Sequence, residues 1–207
     1  MRRGGIRINI ANFFGLFVVV VLLAASASSR SPAPAGELVL ALDPAQSKIH
    51  WTLGATAHTV HGTFGLKRGT LRFDPATGKA SGEIVADATS GESGNDSRDQ
   101  KMHKEILESG QFSEVIFRPD RLEGKVSAQG SSSVQLHGTF VLHGGEHELT
   151  VPVQAELNAS HWKGTAKFSV PYVAWGLKNP SGFLLKVDRN VEIELEISGS
   201  VQTSATP

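Results

Sequence analysis

One stretch, Val134–Leu157, decides which side of every sheet in this chain is the inside. It reads V-Q-L-H-G-T-F-V-L-H, then Gly144-Gly145, then E-H-E-L-T-V-P-V-Q-A-E-L. Val134, Leu136, Phe140 and Leu142 alternate with Gln135, His137, Thr139 and His143 in the first arm. Leu149, Val151, Val153, Ala155 and Leu157 alternate with polar residues and Pro152 in the second. A period of two means strands. The Gly-Gly pair supplies the positive φ angles of a two-residue hairpin loop. That loop predicts Leu142 opposite His147, Phe140 opposite Leu149, Leu136 opposite Val153 and Val134 opposite Ala155. The two apolar faces then coincide, whereas a one-residue slip would turn one of them to water.

Other segments follow the same rule. Ile49, Trp51, Leu53 and Ala55 share a face, as do Val60, Gly62, Phe64 and Leu66. Leu71 and Phe73 share another, ahead of the turn signal Asp74-Pro75-Ala76-Thr77-Gly78. Ile84, Ala86 and Ala88 come next, then a weaker set at Leu122, Val126 and Ala128. Ala166, Phe168, Val170 and Tyr172 follow, and the cleanest alternation runs from Val191 to Val201. Eight or more short strands at this spacing predict an antiparallel barrel or sandwich. One segment differs. Ser97–Ser109 offers a Ser97/Gln100 capping box, Met102, Ile106 and Leu107 on one helical face, and Gly110 at the expected end. In a β chain such a helix most simply covers a barrel end or a sheet edge. Gly91–Asp96 before it reads as a mobile loop, and Pro171–Gly182 as a rim loop with an apolar tip.

The first residues stand apart. Arg2, Arg3 and Arg7 precede the apolar run Phe13–Ala25, and Ala25-Ser26-Ala27 is a small-x-small cleavage pattern. We expect residues 1–27 to be an export signal, giving a periplasmic or secreted protein without a membrane span after processing; the alternative is an uncleaved membrane anchor. Residues 28–40 are taken as a flexible leader, 41–202 as one barrel domain and 203–207 as a tail. Removal of three of the 20 basic residues leaves 17 against 20 acids, a net charge of −3. Nucleic acid is therefore not an expected partner. The chain has no cysteine, so its core must hold without disulfides. Aromatics make up 7% of residues, too few for the girdles of a membrane pore.

Candidate chemistry is sparse. His58 and His61, three apart in a strand, point to opposite faces. His143 and His147 flank the hairpin loop with one outward and one inward. His137 and His143 share the outer face but lie about 20 Å apart along an ideal strand. None of these pairs chelates a metal as drawn, so no metal and no cofactor is expected. Gly91-Glu92-Ser93-Gly94-Asn95 departs from the G-x-S-x-G elbow at its last position and lacks a strand-to-helix setting. No catalytic residue is assigned. What remains is the inward apolar set Trp51, Leu53, Phe64, Phe73, Leu136, Phe140, Leu142, Phe168, Ile193 and Leu195. Either these fill a core or they line a tunnel. Gly62, Gly138, Ala155 and Ala166 interrupt the same face and would leave volume.

Several motifs, taken in order, resemble one family. They are Leu42-Asp43-Pro44 before the Ile49–Leu53 strand, and His61-Gly62-Thr63-Phe64. Next is the run Arg98-Asp99, Met102-His103, Leu107-Glu108-Ser109, Phe112 and Phe117. Leu136-His137-Gly138, Leu142-His143-Gly144 and the closing Val191-Glu192-Ile193 complete the series. Over essentially the whole mature region the chain resembles the YceI-like, polyisoprenoid-binding proteins of bacteria. The resemblance implies an extended, eight-stranded or slightly larger, lipocalin-like antiparallel barrel with one short amphipathic helix. It implies non-catalytic binding, carriage or storage of a long-chain isoprenoid, isoprenoid quinone or other apolar lipid in the cell envelope. On that reading the inward set lines the tunnel, and His147 either hydrogen-bonds a polar ligand head or is a buried, satisfied histidine. Arg98, Asp99 and His103 form a structural motif at the helix, and a homodimer is left open. The alternatives are a secreted enzyme or metal-binding protein using surface histidines, and a ligand-free stress-response barrel.

Overall fold

The computed structural model of the chain describes residues 36–56 and 58–203, so the expected export signal and most of the leader lie outside the described residues. The described residues form nine strands: β1 (Leu38–Leu42), β2 (Lys48–Gly54), β3 (Thr59–Phe73), β4 (Ala80–Glu92), β5 (Glu114–Gly124), β6 (Gly130–Leu142), β7 (Gly145–Leu157), β8 (His161–Val170) and β9 (Val191–Thr203). All neighbouring pairs are antiparallel. The order β2-β9-β8-β7-β6-β5-β4-β3 closes back on β2, giving the expected eight-stranded barrel. Strand β1 is the ninth. It pairs with β3 at Leu38↔Phe73 and with β9 at Leu38↔Thr203, while β2 pairs with the other halves of the same two strands. β1 and β2 thus form one broken strand of the wall. The break is Asp43–Ser47, where the Asp43 carboxylate accepts from the Ala45 amide at 2.9 Å and Pro44 starts a 3₁₀ turn.

Three details correct the reading from sequence. The first is the central hairpin. Leu142 pairs with Gly145, Phe140 with His147, Leu136 with Val151 and Val134 with Val153. The loop is His143-Gly144, with φ of 52° and 77°, rather than Gly144-Gly145. Histidine tolerates the left-handed region better than most side chains, and this one is held there by Phe112 (ring centroids 4.2 Å apart) and by the Glu108 carboxylate at 2.6 Å. The register moves by two residues, an even number, so every side chain keeps its expected face.

The second detail is the strand read at Leu122–Ala128, which is really β5 and begins earlier, with Val115 and Phe117 facing the interior. Pro119 breaks its alternation and the register slips between Pro119 and Arg121. The third is β1, three of whose residues fall in the stretch read as leader. Leu38, Val39 and Leu40 are consecutive and all 5% exposed, so this strand is buried on both faces and carries no alternation to find.

A proline also sets where the barrel splays. The β7–β8 ladder covers only Val153–Leu157 against Trp162–Ala166 and stops beside Pro152, which has no N–H to offer. The first half of β7 and the second half of β8 therefore part. Trp175, from the loop after β8, stacks on His147 of β7 with rings parallel within 2° and centroids 4.2 Å apart.

Candidate functional site

The helix sits over one end of the barrel. Asn95 caps it, its side chain accepting from the Arg98 amide at 3.0 Å; the turns Asp96–Lys101 (α1) run on into a π-helical turn, Met102–Ile106. The cap is two residues before the expected Ser97. The helix ends at Leu107 with Glu108 in the left-handed region (φ 46°), so Gly110 is not the terminating residue. The π turn donates Leu107 N–H to Met102 O, and it brings Met102, Ile106 and Leu107 to the barrel side as their spacing predicted.

Under this lid lies a cavity of about 410 Å³, within the ordinary range for small-molecule sites. Its floor and walls are Trp51 and Leu53 of β2, Phe64 of β3, Phe140 and Leu142 of β6 and Ile193 of β9. Tyr172 and Leu177 of the loop after β8 complete it; both are buried, and the Tyr172 hydroxyl donates to the Asp188 carbonyl at 2.7 Å. Burial pushes the Tyr172 phenol up from its ordinary value, so it stays neutral. Among the described residues the charged side chains at this cavity are Arg98 and Lys101 of the helix; His58 also lines it, and no carboxylate does.

Below it the barrel narrows. A second cavity of about 140 Å³ shares Phe64, Val115, Phe140 and Ile193 with the first and adds Leu136, Phe168 and Leu195. A third, about 50 Å³, lies against Phe73, Leu136, Ala155 and Trp162. Phe140 stands at the boundary of the first two, edge-on to Phe168 (6.4 Å) and tilted against Trp175 (5.6 Å).

Of the residues singled out from sequence, Trp51, Leu53, Phe64, Phe140, Leu142 and Ile193 meet at the first cavity, and Leu136, Phe168 and Leu195 at the second. Phe73 is buried at the closed end. His147 lines none of the three; it stacks on Trp175, and its Nε2 is buried without a hydrogen-bond partner.

Two glycines also behave differently. A Cβ on Gly62 would lie 2.3 Å from the Trp51 indole, and one on Gly138 would lie 2.3 Å from the Arg118 carbonyl. These glycines admit close packing and leave no volume. Ala155 and Ala166 do border open space. Tyr172, Leu177 and Val115 were missed as lining residues. Tyr172 reads as a continuation of strand alternation, although β8 ends at Val170.

The lid is fastened by a small polar network. Arg98 donates from Nε to Ser93 Oγ at 2.7 Å and from its terminal nitrogen to Ser93 O at 2.9 Å. Asp99 accepts from the Ser93 amide at 3.0 Å and from the Ser93 hydroxyl. Partial burial works to raise the Asp99 carboxyl, but the two Ser93 bonds and Arg98 outweigh it and hold the group below its usual value. His103 Nε2 donates to the Gly91 carbonyl at 2.8 Å, which leaves Nδ1 to meet the buried Ser109 hydroxyl at 2.9 Å. Residues 91–96, expected to be a mobile loop, are thus clamped. The Ser93 hydroxyl is taken up by Arg98 and Asp99 and is not set up as a nucleophile.

The outer histidines are dispersed. His137 faces Asp120 at 2.8 Å, His143 faces Glu108, and His61 meets Thr52 at 3.0 Å. No group of three metal-ligating side chains occurs among the described residues.

Known folds and families agree with this architecture. No curated protein matches the chain significantly. By structure it is similar to Burkholderia cenocepacia BcnA (TM-score 0.62, 16% identity, 76% of this chain and 99% of that one). It is similar too to a polyisoprenoid binding domain from Saccharophagus degradans implicated in plant cell wall breakdown (TM-score 0.59, 13% identity, 79% and 98%). A Campylobacter jejuni YCEI protein matches with TM-score 0.54 and 14% identity over 70% and 86%. At such identities the likeness is one of fold. The sequence itself matches the YceI-like domain over residues 40–199, and the chain belongs to that family.

Proposed function

We propose that this protein binds a long-chain apolar lipid, of polyisoprenoid or isoprenoid-quinone type, inside its barrel and holds it without catalysis. The observation that carries the reading is the cavity of about 410 Å³ with apolar walls, lidded by the helix and continued downward by a second apolar space. Burying a hydrocarbon chain there gains about 0.8 kcal/mol per methylene. No directional polar contact is needed to retain it. The likeness in fold to a polyisoprenoid binding domain from Saccharophagus degradans supports the same class of guest. We further propose that the protein works in the bacterial cell envelope, on the strength of the basic, apolar and small-residue sequence of residues 1–27.

Organic extraction of the purified protein, followed by mass spectrometry, tests the reading. An isoprenoid or comparable long apolar lipid at near one per chain is the expected result. Repeated recovery of no lipid from folded protein would overturn it.

A further inference from the structure

Among the described residues the exposed large apolar side chains are Phe183 (96%), Leu184 (85%) and Leu185 (41%), and they are consecutive. They form the tip of the loop between β8 and β9. The tip is shaped: the Gly182 amide donates to the Leu185 carbonyl at 2.8 Å, which presents Phe183 and Leu184 outward. Its base is pinned by the Val187 amide donating to Ser181 Oγ at 2.8 Å and by the Lys186 amide donating to Thr56 Oγ1 at 3.0 Å. Apolar side chains held out in water in this way mark a contact surface.

Position and charge identify the contact. Leu185 lines the lidded cavity, as do Pro180 and Val187, so the exposed patch runs into the cavity wall. Arg98 and Lys101 stand at the same opening, and exposed Lys186 follows the apolar triplet. Of the carboxylates on the same elements, Glu105 is matched by Lys178 at 2.8 Å, Asp99 is taken up by Ser93, and Asp188, two residues after Lys186, is followed by Arg189. We propose that this mouth docks on an anionic phospholipid bilayer, with Phe183 and Leu184 entering the interfacial region and Lys101 and Lys186 facing the headgroups. An apolar tip within a basic rim is the composition that binds such an interface. The inference rests on the lipid-binding reading, because docking there lets an apolar guest pass between bilayer and barrel without crossing water.

The chain has no cysteine, so one engineered thiol gives a unique label site. The full-length L184C variant, carrying an environment-sensitive fluorophore, is mixed with phosphatidylglycerol vesicles or with phosphatidylcholine vesicles. Emission should rise severalfold and shift to the blue with the anionic vesicles, and K101E/K186E should reduce that response severalfold. The same label on A76C, in the turn between β3 and β4 at the other end of the barrel, should not respond.

Equal responses at the two sites, or none at L184C, would overturn the proposal. An equal response to phosphatidylcholine would overturn its electrostatic half. A response without vesicles that grows with protein concentration would assign the patch to a second copy of the chain instead. Lipid extraction from the same preparations reads the cavity separately: a protein that docks but carries no apolar guest sinks the lipid-binding reading and leaves the docking measurement standing.

Discussion

The two ends of the barrel are built from the same strands and obey the same alternation, yet one end is hollow and the other is filled. At the lidded end the inward residues of β2, β6 and β9 surround about 410 Å³ of space. At the far end Phe73, Leu157 and Trp162 are 3–4% exposed, Leu38 and Leu40 are 5% exposed, and about 50 Å³ remains. Alternation states which way a side chain points and nothing about whether facing side chains meet. At the far end β1 adds inward leucines to a wall already carrying Trp162, whose Nε1 reaches the Ala41 carbonyl at 3.4 Å. At the other end a helix spans the opening in place of side chains that would close it. Stability and binding are therefore divided along the barrel axis.

Substitutions sharpen that division. The largest effect is expected for Trp162→Ala at the filled end, which should cost about 3–5 kcal/mol and lower Tm by roughly 10 °C. Leu53→Ala at the hollow end should cost only about 2 kcal/mol, the low end for such a truncation, because the atoms removed already border open volume. It should change lipid content instead. A thermal melt of both variants measures the contrast, and equal losses would mean the hollow end is as tightly filled as the other.

At the boundary, Phe140→Ala should join the first two cavities and shift the bound lipids toward longer chains, read by mass spectrometry of extracts. At the lid, Arg98→Ala removes two hydrogen bonds to Ser93 at a cost of about 1–2 kcal/mol. It should raise amide exchange in the helix more than in β7.

Acid should act on the outside of the wall, and on Asp99 at the lid, rather than on the apolar cavity wall. Arg68, followed by Lys67, holds the Glu114 carboxyl down from 4.5 to about 2. The folded value lies below the unfolded one, so this contribution is present above about pH 4.5 and is lost as the pH falls toward 2. Glu114→Gln should flatten stability across that window. The smallest effect is expected for His137→Ala, which breaks an exposed pair with Asp120 and should cost less than about 0.5 kcal/mol, with lipid content unchanged.

How much of this was legible in the sequence depends on what each feature rests on. The inward face of β6 and β7 was readable because it depends on parity, and parity survived a two-residue change of register at His143-Gly144. The helix face of Met102, Ile106 and Leu107 was readable from spacing alone. Strand β5 was obscured by Pro119, and β1 by the unbroken Leu38-Val39-Leu40 run, since both lack the period that marks a strand. The hollow itself was not readable. It depends on which side chains converge across the barrel, and a glycine such as Gly62, small enough to free space, can be covered by a partner such as Trp51. The partner of His147 was not readable either: it shares its face with Phe140, but the Trp175 that stacks on it arrives from a loop that no pattern places.

Native mass spectrometry of the purified protein tests the central claim most directly. The account predicts a chain carrying one apolar lipid, released by collisional activation and lost in Phe140→Asp. A wild-type barrel that is folded and yet has the bare mass of its polypeptide in repeated preparations would contradict it.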